Sequence, residues 1–273
     1  MMEEVVQVEV QVGTKLLYYS PLWLASNMAR YSHDNHNLSD TFDAIVCNTC
    51  NHVHEANYDN LLGCDKCTSG PETDGDWWYR YEKHVGPKDK DLIYRIGIKK
   101  DHNTILRPIT YDFHVEFSSK DLLAFSKHSI GNDFVMTSTR YTTIKKLKKE
   151  RSFAYYTGSG KDDVYVSDEA WERSKHYIKH LENNDINFNN ILILEQVRIA
   201  ILKGNVSNDE VSTMLPQAWI YRGQIHINAL ALRHLFKLRS EESKAHVWMK
   251  EFVRDLYNEI PKDHKFLYED IME

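Results

Sequence analysis

All four cysteines of this 273-residue chain fall within one window of twenty-one residues, as Cys47-Asn-Thr-Cys50 and Cys64-Asp-Lys-Cys67. Two thiolates spaced C-x-x-C can reach one metal ion from a single tight turn, and two such turns complete a tetrahedral zinc site. Gly63 stands just before the second pair, where a knuckle needs backbone angles that glycine adopts freely. Two other readings of these residues stay open: four unrelated reduced cysteines, and redox-active dithiols. The clustering, with no cysteine elsewhere, favours zinc held by Cys47, Cys50, Cys64 and Cys67. His52 and His54 lie between the pairs and are expected either as exposed loop residues or as substitute ligands. Four thiolates close the shell of a zinc ion, so the motif predicts a structural metal and says little about activity.

The polar segment from about Asp43 to Asp76 ends in a Gly/Pro/Asp-rich run, Ser69 to Asp76, and reads as a small lobe inserted into one domain spanning residues 1–273. Val5 to Val12 alternates apolar and polar residues, as a half-buried strand does. Ser20-Pro21 predicts a turn leading into a short helix, with Pro21 suited to a first helical position. Leu92 to Ile98 reads as a strand or a helix end, Ile109 to Phe117 as a strand and Ser119 to Lys127 as a short helix. From Ser167 onward the pattern becomes helical. Ser167 and Asp168 cap a helix expected to run to Asn183, with Trp171, Ile178 and Leu181 on one face. Ile191 to Lys203 is a second helix stopped by Gly204, and Asn208 caps a third that halts at Pro216. Ile225 to Leu238 is long, apolar and helix-compatible, and Glu242 to Ile260 is a last amphipathic helix before Pro261. Strands lead and helices follow, which predicts an α+β fold.

Charge narrows the partners. Thirty-four basic residues against forty acidic ones give a net charge of −6. That balance supplies no field for a polyanion, so nucleic-acid binding is not expected. The basic run Lys145 to Arg151 is either a solvated face or a collar that attracts a phosphorylated small molecule. Tyr155 to Lys161 (YYTGSGK) does not fit a phosphate loop, because Tyr155 replaces its first glycine and Asp162 stands where Ser or Thr should follow the lysine; it reads as a flexible loop. A mean hydropathy of −0.56, with no long apolar run, predicts no membrane span. The acidic start, Met1-Met2-Glu3-Glu4, is the opposite of what a secretory leader needs, so a cytoplasmic location is expected.

Several separated stretches resemble the flavin-dependent thymidylate synthases, in the same order and at similar spacing. The first is His102-Asn-Thr104, ahead of the strand that contains Phe113. The second is Lys127-His128 followed by Ser138-Thr-Arg140-Tyr141, similar to the family's R-H-R, a spacer, then S-x-R-Y, with a spacer one residue longer. The third runs from Leu215-Pro216 through Asn228-Ala229 to His234 and Leu238-Arg239, matching L-P, N-A-R-S-L and L-R without a gap. Ala29-Arg30 and Ala245-His246 add shorter matches, so the resemblance covers most of the chain outside the cysteine segment.

The resemblance implies a thymidylate synthase-like fold of antiparallel sheet and helices, here carrying the zinc-ribbon-like lobe at 43–76. It implies bound FAD, methylation of dUMP with carbon from methylene-tetrahydrofolate and hydride from NADPH, and a homotetramer. Arg239 would sit against the pyrimidine and stabilise charge developing on the ring, a role that suits a rigid, permanently charged fork. Ser138 and Arg140, with Lys127, would bind the nucleotide, and His102, Thr104, Lys127, His128, Asn228 and His234 would line the flavin.

Departures from the family pattern change the pocket's charge. The family's Glu-His after the first segment is Arg107-Pro108 here. The arginines of R-H-R are Lys127 and Ser129, and the acidic residue before the S-x-R-Y serine is Met136. The phosphate-binding arginine before Leu-Pro is Ser212, and the arginine of N-A-R is Leu230. A buried phosphate would need replacement donors, with Arg107 and Arg222 as candidates. These losses motivate two alternatives: a hydroxymethylating or dCMP-acting enzyme on the same fold, and a flavin-free scaffold whose zinc lobe binds a protein or nucleic acid.

Overall fold

The computed structural model describes residues 13–31, 38–50, 52–56, 64, 66–67, 79–128, 130–158, 164–204, 206–240 and 243–272. The strand expected at Val5 to Val12, Gly63, the run Ser69 to Asp76, Ser129, residues 159–163 and Glu242 lie outside the described residues. In chain order the first elements are β1 (Lys15–Tyr19), α1 (Trp23–Tyr31), β2 (Phe42–Cys47), β3 (Val53–Glu55), β4 (Tyr79–His84) and α2 (Pro87–Ile93). Next come β5 (Thr110–Ser118), α3 (Ser119–Phe125), β6 (Asn132–Met136), α4 (Thr139–Leu147), β7 (Tyr155–Tyr156), β8 (Val164–Tyr165) and α5 (Asp168–Ser174). The chain closes with α6 (Asn184–Lys203), α7 (Asn208–Met214), β9 (Ile220–Asn228), α8 (Ala229–Arg239), α9 (Val247–Glu259) and α10 (Glu269–Met272). The strands form sheets ordered β1-β5-β9-β6, β3-β2-β4 and β7-β8, the last two antiparallel. Sheets and helices together make the expected α+β fold.

The chain divides into two compact units. The first comprises Met1–Leu17, Asp112–His226 and His246–Glu259. Its core gathers around α6, whose Ile191, Leu194, Val197 and Ile201 share one stripe and pack with Leu147, Phe153, Val211 and Trp219. Each such aliphatic side chain contributes roughly 1.5–3 kcal/mol when fully buried. Asn183 caps α6 by accepting from the amides of Asp185 and Ile186, which starts the helix seven residues before the apolar stripe that marked it in sequence. Gly204 ends it at φ 75°, the left-handed angle glycine adopts without strain. Ser207, one residue before the expected cap, forms a reciprocal capping box with Glu210.

The helix expected to reach Asn183 stops at Ser174, with Ser167 as its cap. Beyond it, the Lys179 amide donates to the Ala218 carbonyl at 2.7 Å and the Ile220 amide to the Tyr177 carbonyl at 2.8 Å. These bonds satisfy the backbone while Ile178 enters the core, so an extended segment replaces two further helical turns. Trp171, Ile178 and Leu181 still meet in that core. The loop expected from Tyr155 begins in a short pair, β7–β8, where Tyr155 stacks on Tyr165 with ring centroids 5.2 Å apart.

The second unit comprises Tyr18–Tyr111, Ile227–Ala245 and Ile260–Glu273. After the turn at Ser20-Pro21, α1 begins at Trp23, two residues past Pro21. The segment around Leu92 is helical: a π-helical stretch, Tyr94–Lys99, continues α2. The buried Arg30 guanidinium donates to Asp89, whose other oxygen accepts from Ser39 and Thr41 at 2.5 and 2.7 Å. Burial pushes the Asp89 carboxyl up, but these three partners hold it below the usual range. A buried aromatic group holds the chain's end, with Tyr268 donating to the Tyr111 hydroxyl, which pairs with His264 Nδ1 at 2.9 Å.

One expected helix is two elements. In β9, Ile225 and Ile227 are buried while Gln224 and His226 are exposed, a period of two; from Ala229 the buried set is Ala229, Leu232, Leu235 and Phe236, a helical period. Asn228 marks the switch, its side chain accepting from the Ala231 amide at 2.9 Å.

Candidate functional site

In the first unit, β5 turns Phe113, Val115 and Phe117 inward and leaves Asp112, His114 and Glu116 on its polar face. The neighbouring strand answers with matched partners. Arg222 binds Glu116, and His226 Nδ1 lies 2.7 Å from Asp112 Oδ1. Between these pairs a groove of about 480 Å³ is lined by His114, Val135, Met136, Thr137, Arg222 and Gln224. Gly223 completes it, and a Cβ there would run into the Val135 carbonyl oxygen, so glycine is what permits β6 and β9 to approach. His114 Nε2 is buried, and among the described residues it has no hydrogen-bond partner. Thr137 fixes the rim, since its amide and hydroxyl both donate to the Arg222 carbonyl, at 2.8 and 2.6 Å.

Ser138 and Arg140 follow directly. Ser138 is the N-cap residue of α4 but makes no side-chain cap bond. Arg140 is exposed, with Nε 2.6 Å from Asp209 Oδ1 on α7, against which α4 packs. Ser212, at the position of the family's phosphate-binding arginine, lies on α7 as well, its hydroxyl donating to the Asp209 carbonyl. Burial and the neighbouring Arg222 charge both lower the Lys146 ammonium below its usual range. Lys127 is exposed and His128 half-buried at the other end of β6. Arg222 brings a charged donor to the lining of this groove, which an anionic group can use.

The remaining candidates lie in the second unit. His102 and Thr104 are exposed on the turn at Asn103–Leu106, which packs against α8. Asn228 spends its carbonyl oxygen on the α8 cap. His234 is exposed further along that helix, and Arg239 is half-buried in its last turn.

The cysteines are also in this unit. Cys47 ends β2, with its amide donating to the His52 carbonyl at 3.0 Å. The sulfurs of Cys47, Cys50, Cys64 and Cys67 all lie within 4.8 Å of one another. Burial opposes ionisation of Cys47, but the amides of Cys50 and Thr49 and the sulfurs of Cys67 and Cys50 bring its thiol down to about 6. The His52 amide favours a Cys50 thiolate, yet burial and the other three sulfurs push it up to about 12. Negative charge accumulating on four sulfurs is what a divalent ion relieves. His54, expected in an exposed loop, is buried on β3.

Several groove residues escaped the sequence reading. His114, Thr137 and Gln224 carried no spacing signal, although the alternation of β5 placed His114 opposite its apolar face.

The family described as thymidylate synthase complementing protein matches residues 38–264. A flavin-dependent thymidylate synthase of Wolinella succinogenes is 31% identical over 195 residues, which cover 70% of this chain and 87% of that protein. One from Helicobacter pylori is 29% identical over 195 residues, covering 71% and 88%. The crystal structure of thymidylate synthase X from Helicobacter pylori with FAD and dUMP matches with a TM-score of 0.71 at 24% identity, over 96% of this chain and 99% of that one. A UMP/dUMP methylase from Streptomyces cacaoi matches with a TM-score of 0.52 at 13% identity, over 90% and 88%. Among the described residues no helix is long and apolar enough to cross a membrane.

Proposed function

The chain belongs to the flavin-dependent thymidylate synthase family of enzymes, and from that premise we propose that it methylates dUMP to dTMP. The family match across residues 38–264 carries this reading. When bound, FAD supplies the redox chemistry, with NADPH as the source of hydride and methylene-tetrahydrofolate as the source of carbon. The reading includes a homotetramer, acting in the cytoplasm, whose active sites draw on several subunits.

The family resemblance assigns side chains to these ligands. His102, Thr104 and His234 present exposed polar groups to a flavin, and Asn228, with His128, completes that set. Lys127, Ser138 and Arg140 bind the nucleotide. Ser138 has a hydroxyl not used as a cap, and Arg140 donates a charge-assisted fork to the phosphate. Arg239 faces the pyrimidine and stabilises negative charge as it develops on the ring. Zinc takes no part in this reaction, since four thiolates close its shell.

Mass spectrometry of dUMP incubated with the protein, FAD, NADPH and methylene-tetrahydrofolate tests the reading. A product heavier by one CH2 unit, a methyl in place of a ring hydrogen, is expected, and unchanged dUMP would overturn it. A second reading is favoured by Met136, which lines the groove where the family carries an acidic residue, and by Ser212 in place of arginine. On that reading the product is hydroxymethylated, or the substrate is dCMP. The same assay on both nucleotides separates the cases by product mass.

A further inference from the structure

In the cysteine segment Ala44 and Val46 are buried on one face of β2, and Ile45 and Cys47 on the other. The cluster on the Ile45 face consists of Ile45, Cys47 and Cys64, with Cys67 and Tyr79 packed against it, so three of its five members are cysteines. The sheet it supports is nonetheless well formed: β2 pairs with β4 from Phe42↔His84 to Cys47↔Tyr79, and with β3 from Ala44↔Glu55 to Val46↔Val53. Sulfur makes up most of that face, and small lobes of this kind commonly rely on metals or disulfides to complete such an interior.

The sulfur geometry selects between those. Cys47 Sγ lies 3.5 Å from Cys67 Sγ, and Cys50 Sγ 3.6 Å from Cys64 Sγ. A zinc ion about 2.3 Å from four tetrahedral sulfurs separates neighbouring sulfurs by roughly 3.8 Å. A disulfide needs about 2.05 Å. Each close pair also joins one C-x-x-C turn to the other, as ligands shared by one central ion do. Backbone amides of Thr49 and Cys50 are aimed at the Cys47 sulfur, and the His52 amide at the Cys50 sulfur. Such donors orient metal-bound thiolates and offset their charge.

We propose that Cys47, Cys50, Cys64 and Cys67 bind one zinc ion that completes the interior on the Ile45 face of β2, so that the sheet β3-β2-β4 orders only with its metal. Zinc suits the site because it imposes no directional preference of its own and tolerates unequal sulfur spacing. The ion is structural, and the site is independent of the flavin reaction.

The full-length chain, purified without chelator, is expected to carry one zinc per chain by elemental analysis. Replacing zinc with cobalt should give the intense thiolate-to-metal absorption of a tetrahedral four-sulfur site. Stripping the metal should abolish hydrogen-exchange protection in β2, β3 and β4, and restoring zinc should return it. Cys47→Ser with Cys50→Ser should lose both metal and protection. Iron in place of zinc, no bound metal, or protection that survives metal removal would each overturn the proposal. The cobalt spectrum is read on the native sequence, so a variant that fails to fold does not blunt the test. A zinc-loaded chain that takes up no FAD would count against the proposed reaction and leave the metal site standing.

Discussion

Arg140 Nε lies 2.6 Å from Asp209 Oδ1, so the guanidinium assigned to the nucleotide phosphate is already held by a carboxylate. Both side chains are more than half exposed, and exposed pairs of this kind are weak. A phosphate arriving at Arg140 therefore displaces or shares a partner of low cost. Asp209→Asn should lower KM for the nucleotide by up to about fivefold with kcat unchanged. Arg140→Ala should raise KM. Steady-state kinetics checks both, and an unaltered KM in the two variants would remove Arg140 from the site.

Arg239 is proposed to act on the ring rather than on the phosphate. Removing a donor aimed at developing charge costs about 10²–10³ in kcat. Arg239→Gln should show a loss of that size while flavin absorbance and nucleotide binding persist. Arg239→Lys should recover only part of it, because an ammonium lacks the planar fork.

Glu195 is buried on α6, where it accepts from Arg198 at 2.7 and 2.8 Å and from the Phe153 amide at 2.8 Å. Removing one member of a buried pair leaves an uncompensated charge and costs about 3–5 kcal/mol. Glu195→Ala should lower the urea midpoint accordingly with the m-value preserved. An unmoved midpoint would show the pair to be dispensable.

His264 gives stability a pH dependence. Burial first, then the Lys90 charge, lower the imidazole from 6.5 to about 4, against the opposing pull of Asp263. Between those values the unfolded chain holds a proton that the folded chain lacks, so stability falls as pH drops from 6.5 toward 4. The loss should reach roughly 3 kcal/mol across that window. Urea midpoints measured at pH 7 and pH 5 should reveal the slope, and His264→Gln, which keeps a partner for Tyr111, should flatten it.

Much of the local structure was legible in the sequence because its determinants lie within a few residues of one another. Ser167 and Gly204 act as caps where their neighbours place them, and the alternation of β5 survives intact. The misreadings share a different cause. The helix after Ser167 ends early because Lys179 and Tyr177 bond to Ala218 and Ile220, far along the chain. The β9–α8 boundary was hidden in an apolar run whose two periods differ only once burial is seen.

The four-cysteine cluster and the ordered family pattern were properties of the sequence by itself, since C-x-x-C spacing dictates which sulfurs share a turn and motif order is read along the chain. Only the tertiary structure decided that Arg222 binds Glu116, that Arg140 meets Asp209, and that His114, Met136 and Gln224 line one groove. Those contacts depend on which strands and helices become neighbours. Strand register and helix packing are settled by burial summed over the whole unit, which no short stretch of sequence contains.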